Sequence, residues 1–282
     1  MAMSNRIALA GQRTLITGAS SGIGRATALA AAERGARVLL VARRHAELEK
    51  VGAEIAERGG SAHVYSCDLS DDQAIDDLVK QVLEQHGGVD VLVNNAGRSI
   101  RRSVRKSVDR MHDYERTMRL NYFAPVRLTL GLLPAMREQR FGHVVNVTTQ
   151  GTQIHTPRFS AYLASKAALE EFGRTAGREL AADNVTFSSV RMPLARTPMI
   201  APSESAFRGL PALSPPQAAR LVLRAAHTRR EVINVPGGSV LDLLDVAAPG
   251  LMRRLVHRFG YRPRTEPQRP ARQPAPGDRP AR

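Results

Sequence analysis

The chain has 282 residues, of which 43% are hydrophobic, with a formal net charge of +15, one cysteine and no tryptophan. That length can bury a full core as one large domain, and a single cysteine excludes a disulfide framework. No stretch approaches the roughly 18–20 apolar residues of a spanning helix, and no charged start leads into a long apolar run, so a soluble, cytoplasmic protein is expected, with Cys67 a small buried thiol.

In chain order, Arg13-Thr14-Leu15-Ile16 reads as a short buried strand, Thr17-Gly18-Ala19-Ser20-Ser21-Gly22-Ile23-Gly24 as a glycine-rich turn, and Arg25-Ala26-Thr27-Ala28-Leu29-Ala30 as an alanine-rich helix. Such a unit lets backbone approach a pyrophosphate, which then rests on the unpaired N–H groups of the helix N-terminus. The strands read as Thr14 to Ile16, Arg37 to Val41, Ala62 to Ser66, Val89 to Val93, His143 to Val147, Thr186 to Val190 and Val232 to Val235. Long helical patterns separate them, so the expectation is an α/β fold: a Rossmann-type, doubly wound, seven-stranded parallel sheet with helices on both faces and a C-terminal helical extension.

Three segments are expected: a nucleotide-binding domain over 1–240, an amphipathic extension over 241–261, and a disordered Arg/Pro-rich tail over 262–282. In the extension, Leu251, Met252, Leu255, Val256 and Phe259 recur at helical spacing beside Arg253, Arg254 and Arg258. A helix pair docked on the body or on a second subunit fits that pattern, and so does peripheral contact with a membrane surface. The tail carries six arginines and six prolines against Glu266 and Asp278. A second basic cluster runs through Arg98, Arg101, Arg102, Arg105, Lys106 and Arg110. Neither cluster comes with zinc-finger spacing or interleaved aromatics, so no nucleic-acid partner and no metal site are expected.

Tyr162-Leu163-Ala164-Ser165-Lys166 places a phenol and an ammonium four residues apart on one helix face. The charge beside the phenol favours its ionised form, which makes a proton donor and acceptor of a group whose ordinary pKa is about 10.

With these motifs in this order, residues 12–238 resemble the short-chain dehydrogenase/reductase family. The glycine turn, Asn94-Asn95-Ala96-Gly97 after the fourth strand, Asn121 on the next helix, and Tyr162 with Lys166 carry the resemblance. It implies that Tyr162 is the general acid for carbonyl reduction, that Lys166 lowers its pKa and holds the nicotinamide ribose, and that Asn121 helps to position a water chain. It also implies a cofactor site of Gly18, Ser20, Ser21, Gly22, Ile23, Gly24, Asp68, Leu69, Asn95, Ala96, Gly97, Tyr162, Lys166, Pro193 and Thr197, with Asp68 and Leu69 at the adenine. An acidic residue at the end of the second strand would repel a ribose 2′-phosphate; Arg43 and Arg44 stand there instead, so NADPH is expected, with Arg43 the first choice of ligand.

Two positions depart from the family. Thr149, 13 residues before Tyr162, replaces the usual serine; it keeps the hydroxyl that steadies charge on the substrate oxygen and adds a methyl. Leu194 follows Pro193 where relatives have glycine. The stretches 94–103, 156–162 and 192–202 are most similar to the reductase domain of bacterial fatty acyl-CoA reductases. The expected substrate is therefore a long-chain fatty aldehyde or acyl thioester, with Met199, Ile200 and Phe207 along an acyl groove and Arg98, Arg101, Arg102 and Arg105 near a coenzyme A carrier. A 3-oxoacyl-thioester or hydroxysteroid-type reductase and a catalytically weak, cofactor-binding regulator stand as alternatives. A homodimer or homotetramer is expected.

Overall fold

The structure is a computed structural model that describes residues 8–201, 207, 209–235, 247–248, 250–251 and 254. The tail expected over 262–282 lies wholly outside the described residues, as does most of the expected extension. Among the described residues no helix is long and apolar enough to cross a membrane.

Seven parallel strands form one sheet: β1 (Arg13–Thr17), β2 (Arg37–Ala42), β3 (Ser61–Ser66), β4 (Val91–Asn94), β5 (Gly142–Thr149), β6 (Val185–Met192) and β7 (Val232–Ile233). Their spatial order, β3-β2-β1-β4-β5-β6-β7, reverses between β1 and β4. A doubly wound sheet opens its ligand crevice at that reversal, beyond the carboxyl ends of the strands.

Helices α1 (Gly22–Ala32), α2 (His45–Glu57) and α8 (Pro215–Thr228) cover one face, and α3 (Asp72–His86), α5 (Ala124–Glu138) and α7 (Ser160–Glu179) the other. Successive strand residues alternate between these two cores: Leu15, Leu39, Leu92 and Val144 face one, Ile16, Leu40, Val93 and Val145 the other, and all are at most 1% exposed. Burial on both sides is why the strands read as unbroken apolar runs. Helix starts and stops follow local chemistry. Asp71 accepts from the N–H groups of Gln73 and Ala74 to start α3, and Gly87, at φ 71°, ends it; Ser214 and Gln217 close a capping box on α8.

The structure departs from the sequence expectation at several ends. β5 runs two residues further, through Thr148 and Thr149, because both continue the pairing with Arg191 and Met192 of β6. β7 is two residues long, and β4 starts at Val91 rather than Val89. Between α4 (Met111–Met118) and α5 the chain makes a π-turn, Arg119–Phe123, in which the Ala124 N–H reaches back to the Arg119 carbonyl. A short helix, α6 (Gly151–Ile154), follows β5.

Under β5 and β6 lies a polar cluster. Arg229 donates to Thr186 Oγ1 (2.7 Å), Asn184 Oδ1 (2.9 Å) and the carbonyls of Asn184 and Gly142 (2.7 and 3.1 Å). His143, fully buried, has Nδ1 2.8 Å from Thr186 Oγ1 and Nε2 3.2 Å from Ser188 Oγ. Since Thr186 already accepts from Arg229 and Ser188 donates to the Arg230 carbonyl, the neutral imidazole with its proton on Nε2 satisfies every partner. Burial, then the Arg229 charge, push His143 down to about 3.

The unfolded chain binds that proton near the ordinary value of about 6.5. The contribution of neutral His143 to stability is therefore fully present above about pH 6.5 and is lost as pH falls from there toward 3. The expected result is that unfolding free energy from urea titrations declines on acidification across that window, by up to about 1.4 kcal/mol per pH unit from this group, and that His143→Gln removes this component. Identical slopes in the two proteins would refute it.

Candidate active site

The carboxyl ends of β1, β4, β5 and β6 open into one cleft of about 950 Å³. Its floor is made by glycines whose positions exclude a side chain. Gly18 holds φ +69°, and a Cβ there would come within 2.9 Å of Asn95 Nδ2; Gly22 holds φ +55°; a Cβ on Gly24 would overlap the Gly18 carbonyl. Above them starts α1, where Ser21 is extended at the cap without a side-chain hydrogen bond and the first turn holds no acidic residue. A cradle of bare backbone facing a helix N-terminus fits the pyrophosphate of a dinucleotide. Gly24 stands behind the cleft, where it lets helix and loop close up.

Thr17, which the sequence reading did not single out, welds the two sides of the crevice. Its Oγ1 accepts from the N–H groups of Asn95 (2.9 Å) and Ala96 (3.0 Å) and donates to the Val93 carbonyl (3.1 Å), while Asn95 Nδ2 donates to the Thr17 carbonyl (2.8 Å). Nothing in its type or spacing marks it, because its role depends on β4 lying beside β1.

At the adenosine end, Arg43 and Arg44 line the cleft with Ser20, Ser21, Asp68 and Leu69. Arg43 lies 3.8 Å from the Asp68 carboxylate with both groups exposed, and Arg44 donates to Ser20 Oγ (3.3 Å). An exposed pair of that length contributes little, so the Arg43 guanidinium is available to a stronger anion. Cys67 is buried as expected; its thiol donates to the Ala74 carbonyl, and burial, helped by Asp68, pushes it up to about 11. A neutral thiol of this kind takes no part in the chemistry.

In the middle of the cleft α7 presents Tyr162 and Lys166. The phenol and the Thr149 hydroxyl both line the cleft; burial pushes the phenol up to about 12, with Thr149 acting the other way. Lys166, 3% exposed, donates to the Val147 carbonyl (2.8 Å), and burial pushes it down to about 8. The ammonium is directed at a backbone carbonyl of β5, and the phenol's dominant influence is removal from water.

Asn121 sits on the π-turn and is fully buried. Its Oδ1 accepts from the Arg98 N–H (2.8 Å), and its Nδ2 donates to the Arg98 carbonyl (2.9 Å) and to Ser165 Oγ (2.9 Å), which in turn donates to the Tyr162 carbonyl (2.7 Å). Its side chain thus binds the loop after β4 to the tyrosine helix. Gly97 fits between them: a Cβ there would lie 3.3 Å from Asn121 Oδ1 and 3.4 Å from Lys166 Nζ.

The far end is apolar. Ile154, Leu163, Met199, Ile200, Phe207 and Leu210 line it, and Phe159 stacks on Phe207 with centroids 6.0 Å apart. Met199, Ile200 and Phe207 were anticipated. Leu210 and Leu213 were not, because they reach the cleft only where the chain folds back and Leu213 pairs with Ala195. Pro193, Leu194 and Thr197 form the wall between this lobe and the glycine turn; Thr197 lies 3.3 Å from where a Gly22 Cβ would be. The expected basic group divides. Ser99 lines the cleft, but Arg98, Arg101, Arg102 and Arg105 stand outside its lining, and Arg102 is paired with Asp113 at 3.1 Å. The remaining anticipated residues Ile23, Asn95 and Ala96 lie in the cleft lining with the others.

A family model for short chain dehydrogenases matches residues 12–206. Among curated proteins, the chain is 47% identical over 246 residues to a fatty acyl-CoA reductase of Acinetobacter baylyi, covering 87% of this chain and 83% of that one. It is 48% identical over 254 residues to an uncharacterized oxidoreductase of Mycobacterium tuberculosis, covering 89% and 74%. Among solved structures, a short-chain dehydrogenase from Streptomyces avermitilis superposes with a TM-score of 0.75 at 30% identity, over 89% of this chain and 98% of that one. A metagenomic short-chain oxidoreductase in complex with NADP gives 0.70 at 32% identity, over 81% and 98%. The chain therefore belongs to the short-chain dehydrogenase family, and so to the oxidoreductases that work with a nicotinamide cofactor.

Proposed function

We propose that the protein is an NADPH-dependent reductase of long-chain fatty aldehydes or acyl thioesters, with Tyr162 as the proton donor. The observation that carries this reading is the order of surfaces along one cleft: a phosphate cradle with Arg43 and Arg44 at one end, the Tyr162–Thr149 pair in the middle, and an apolar lobe at the other end. The names of the fatty acyl-CoA reductase relatives and of the NADP-bound neighbour point the same way.

The bound dinucleotide would supply hydride; everything else falls to the chain. Arg43, and next to it Arg44, would pair with the ribose 2′-phosphate, and Gly18, Ser21 and Gly22 would leave room for the pyrophosphate. Thr149 would hold the substrate oxygen by its hydroxyl, and Tyr162 would pass its proton to that oxygen as negative charge develops there. A phenol pushed up to about 12 is neutral at pH 7, the form that donates, which favours reduction over oxidation. The buried Lys166 ammonium would lower the cost of leaving a phenolate behind once the proton has gone. Because Thr149, Tyr162 and Lys166 line the same cleft, the constellation supports a working enzyme over a regulatory shell. The exposed apolar side chains of Met111 on α4, Phe123 on the π-turn and Leu130 on α5 support association of copies into a homo-oligomer.

Tyr162→Phe is expected to lower kcat for hexadecanal or hexadecanoyl-CoA reduction by roughly 10²–10⁴-fold while NADPH fluorescence titration still shows binding. Retained turnover would remove Tyr162 from the mechanism, and faster turnover of a 3-oxoacyl thioester than of either hexadecyl substrate would redirect the substrate assignment. In the doubly substituted Arg43→Ala/Arg44→Ala protein, KM for NADPH should rise at least about tenfold and KM for NADH change little; a parallel rise in both would deny the arginines a role in selecting the phosphate. Finally, kcat/KM for reduction should fall as pH rises through about 8, where Lys166 loses its charge, and a flat profile from pH 7 to 10 would exclude that requirement.

A further inference from the structure

Of the three acidic residues on α7, Glu171 and Glu179 face water, whereas Glu170 is only 7% exposed. Its two oxygens go to different strands. Oε1 accepts from Arg191 of β6, through Nε at 2.9 Å and through Nη2, and Oε2 lies 3.3 Å from Thr148 Oγ1 of β5. Thr148 and Arg191 are themselves partners in the sheet, so the carboxylate spans one rung of the ladder between β5 and β6. The Arg191 side chain is 12% exposed. Arg174, one turn along α7, comes within 3.4 Å of Oε1 and is shared with Glu171 and Glu231.

Each of the three elements joined here carries part of the site a short step further on. Thr149 follows Thr148, Met192 and Pro193 follow Arg191, Lys166 lies one turn before Glu170, and Tyr162 one turn before that. All five line the cleft. Asn121, acting through Ser165, fixes α7 only against the loop after β4. Past Glu170 the helix meets the sheet through Gly173 and Gly177, which face Phe187 with no side chain of their own. Without ridges to interlock, such a contact leaves the slide and tilt of the helix weakly specified.

A buried ion pair is seldom the most stable way to fill such a space, because apolar side chains of similar volume usually do as well. What it adds is direction, since N–H···O bonds weaken steeply as they lengthen or bend. Tyr162 stands about 12 Å along the helix from Glu170, so a tilt of about 5° at the ion pair moves the phenol by about 1 Å, a misplacement that can cost on the order of 10²-fold in rate.

We propose that Glu170 and Arg191 are positioning residues for the reaction: their ion pair sets the height and tilt of α7 against β5 and β6, and with it the approach of the Tyr162 phenol to the oxygen held by Thr149. Neither residue of the pair lines the cleft, so both act through the groups they place. The proposal rests on the reading of Tyr162 as the proton donor.

The test uses full-length protein and the double substitution Glu170→Met/Arg191→Met, which removes both charges together and leaves neither unpaired. Its Tm should stay within a few degrees of the wild-type value and its KM for NADPH within about twofold, while kcat falls on the order of 10–100-fold. Glu170→Gln, which keeps the shape and can still accept from Arg191, should lose about three- to tenfold in kcat. A role in stability alone gives the opposite pattern, and kcat recovering together with Tm in the double variant would overturn the proposal. Should the double variant not fold, an unchanged kcat in Glu170→Gln overturns it instead. A second measurement needs no turnover. In NADP⁺-saturated protein whose tyrosines are labelled at Cζ with an NMR-active carbon isotope, Tyr162→Phe assigns the Tyr162 resonance. That resonance should move in Glu170→Gln, while that of Tyr65 on β3 stays in place. A Tyr162 resonance that stays put overturns the ion pair's role even if the wild type reduces neither hexadecyl substrate. One that moves supports the role whatever the substrate, so a failure of the proposed activity is told apart from a failure of this proposal.

Discussion

The side-chain amide of Asn121 is the constraint on which the active centre depends. It is fully buried, and its bonds go to both backbone groups of Arg98 and to Ser165. One contact fixes where the loop after β4 runs; another, relayed through Ser165 to the Tyr162 carbonyl, fixes the register of α7 against that loop. A buried amide with an unmet donor costs more than the bond itself contributes, so a shift of either element is penalised twice. The π-turn at Arg119–Phe123 widens the helix at this residue. Such widenings, inserted in otherwise regular helices, are found where a side chain must be aimed rather than packed.

The rest of the centre follows from how strand ends line up. The reversal of order between β1 and β4 leaves the glycine turn and the Asn95-Ala96-Gly97 segment side by side, and Thr17 locks them at that spacing. β5 and β6 run in register to Thr149 and Met192, which brings the Thr149 hydroxyl into the cleft that Tyr162 also lines. Behind them Glu170, on α7 one turn past Lys166, accepts from Arg191 of β6 at 2.9 Å and from Thr148 of β5 at 3.3 Å, so the same helix is tied to both strands from below. Thr149, Tyr162 and Lys166 are thereby carried on regular elements, while the apolar lobe is lined by the less regular segment after β6.

The sheet was legible because its strands are buried on both faces, so residues such as Leu39 and Leu40 remain apolar whichever way they point. The glycine turn and the Tyr162–Lys166 pair were legible because backbone clearance and helical spacing are local properties. What escaped the sequence is what three-dimensional proximity decides. Arg98, Arg101, Arg102 and Arg105 look alike in the chain, yet one is paired with a buried carboxylate and another stands beside Arg158, 57 residues on. Lys166 reads as a partner for the phenol, and nothing in the chain announces that it also donates to the Val147 carbonyl of β5. Nothing in the spacing of His143 or Asp113 announces its polar partners, and each is almost wholly buried among them.

The two departures from the family pattern gain a common sense from the lobe they face. Thr149 adds a methyl beside the reacting oxygen, and Leu194 replaces hydrogen by an isobutyl group on the wall shared with the cofactor end. Each exchanges space for apolar surface near Tyr162, and Met199, Ile200, Phe207 and Leu210 continue that surface outward. A polymethylene chain gains roughly 0.8 kcal/mol for each CH₂ it buries, and such a wall rewards length without reading shape. Discrimination among acyl substrates must then come from the ends. Under the proposed function, the Thr149 and Tyr162 hydroxyls at the inner end would demand a carbonyl. On the same reading, a lobe of this kind would set little limit on chain length and leave selection to the group at the chain's end.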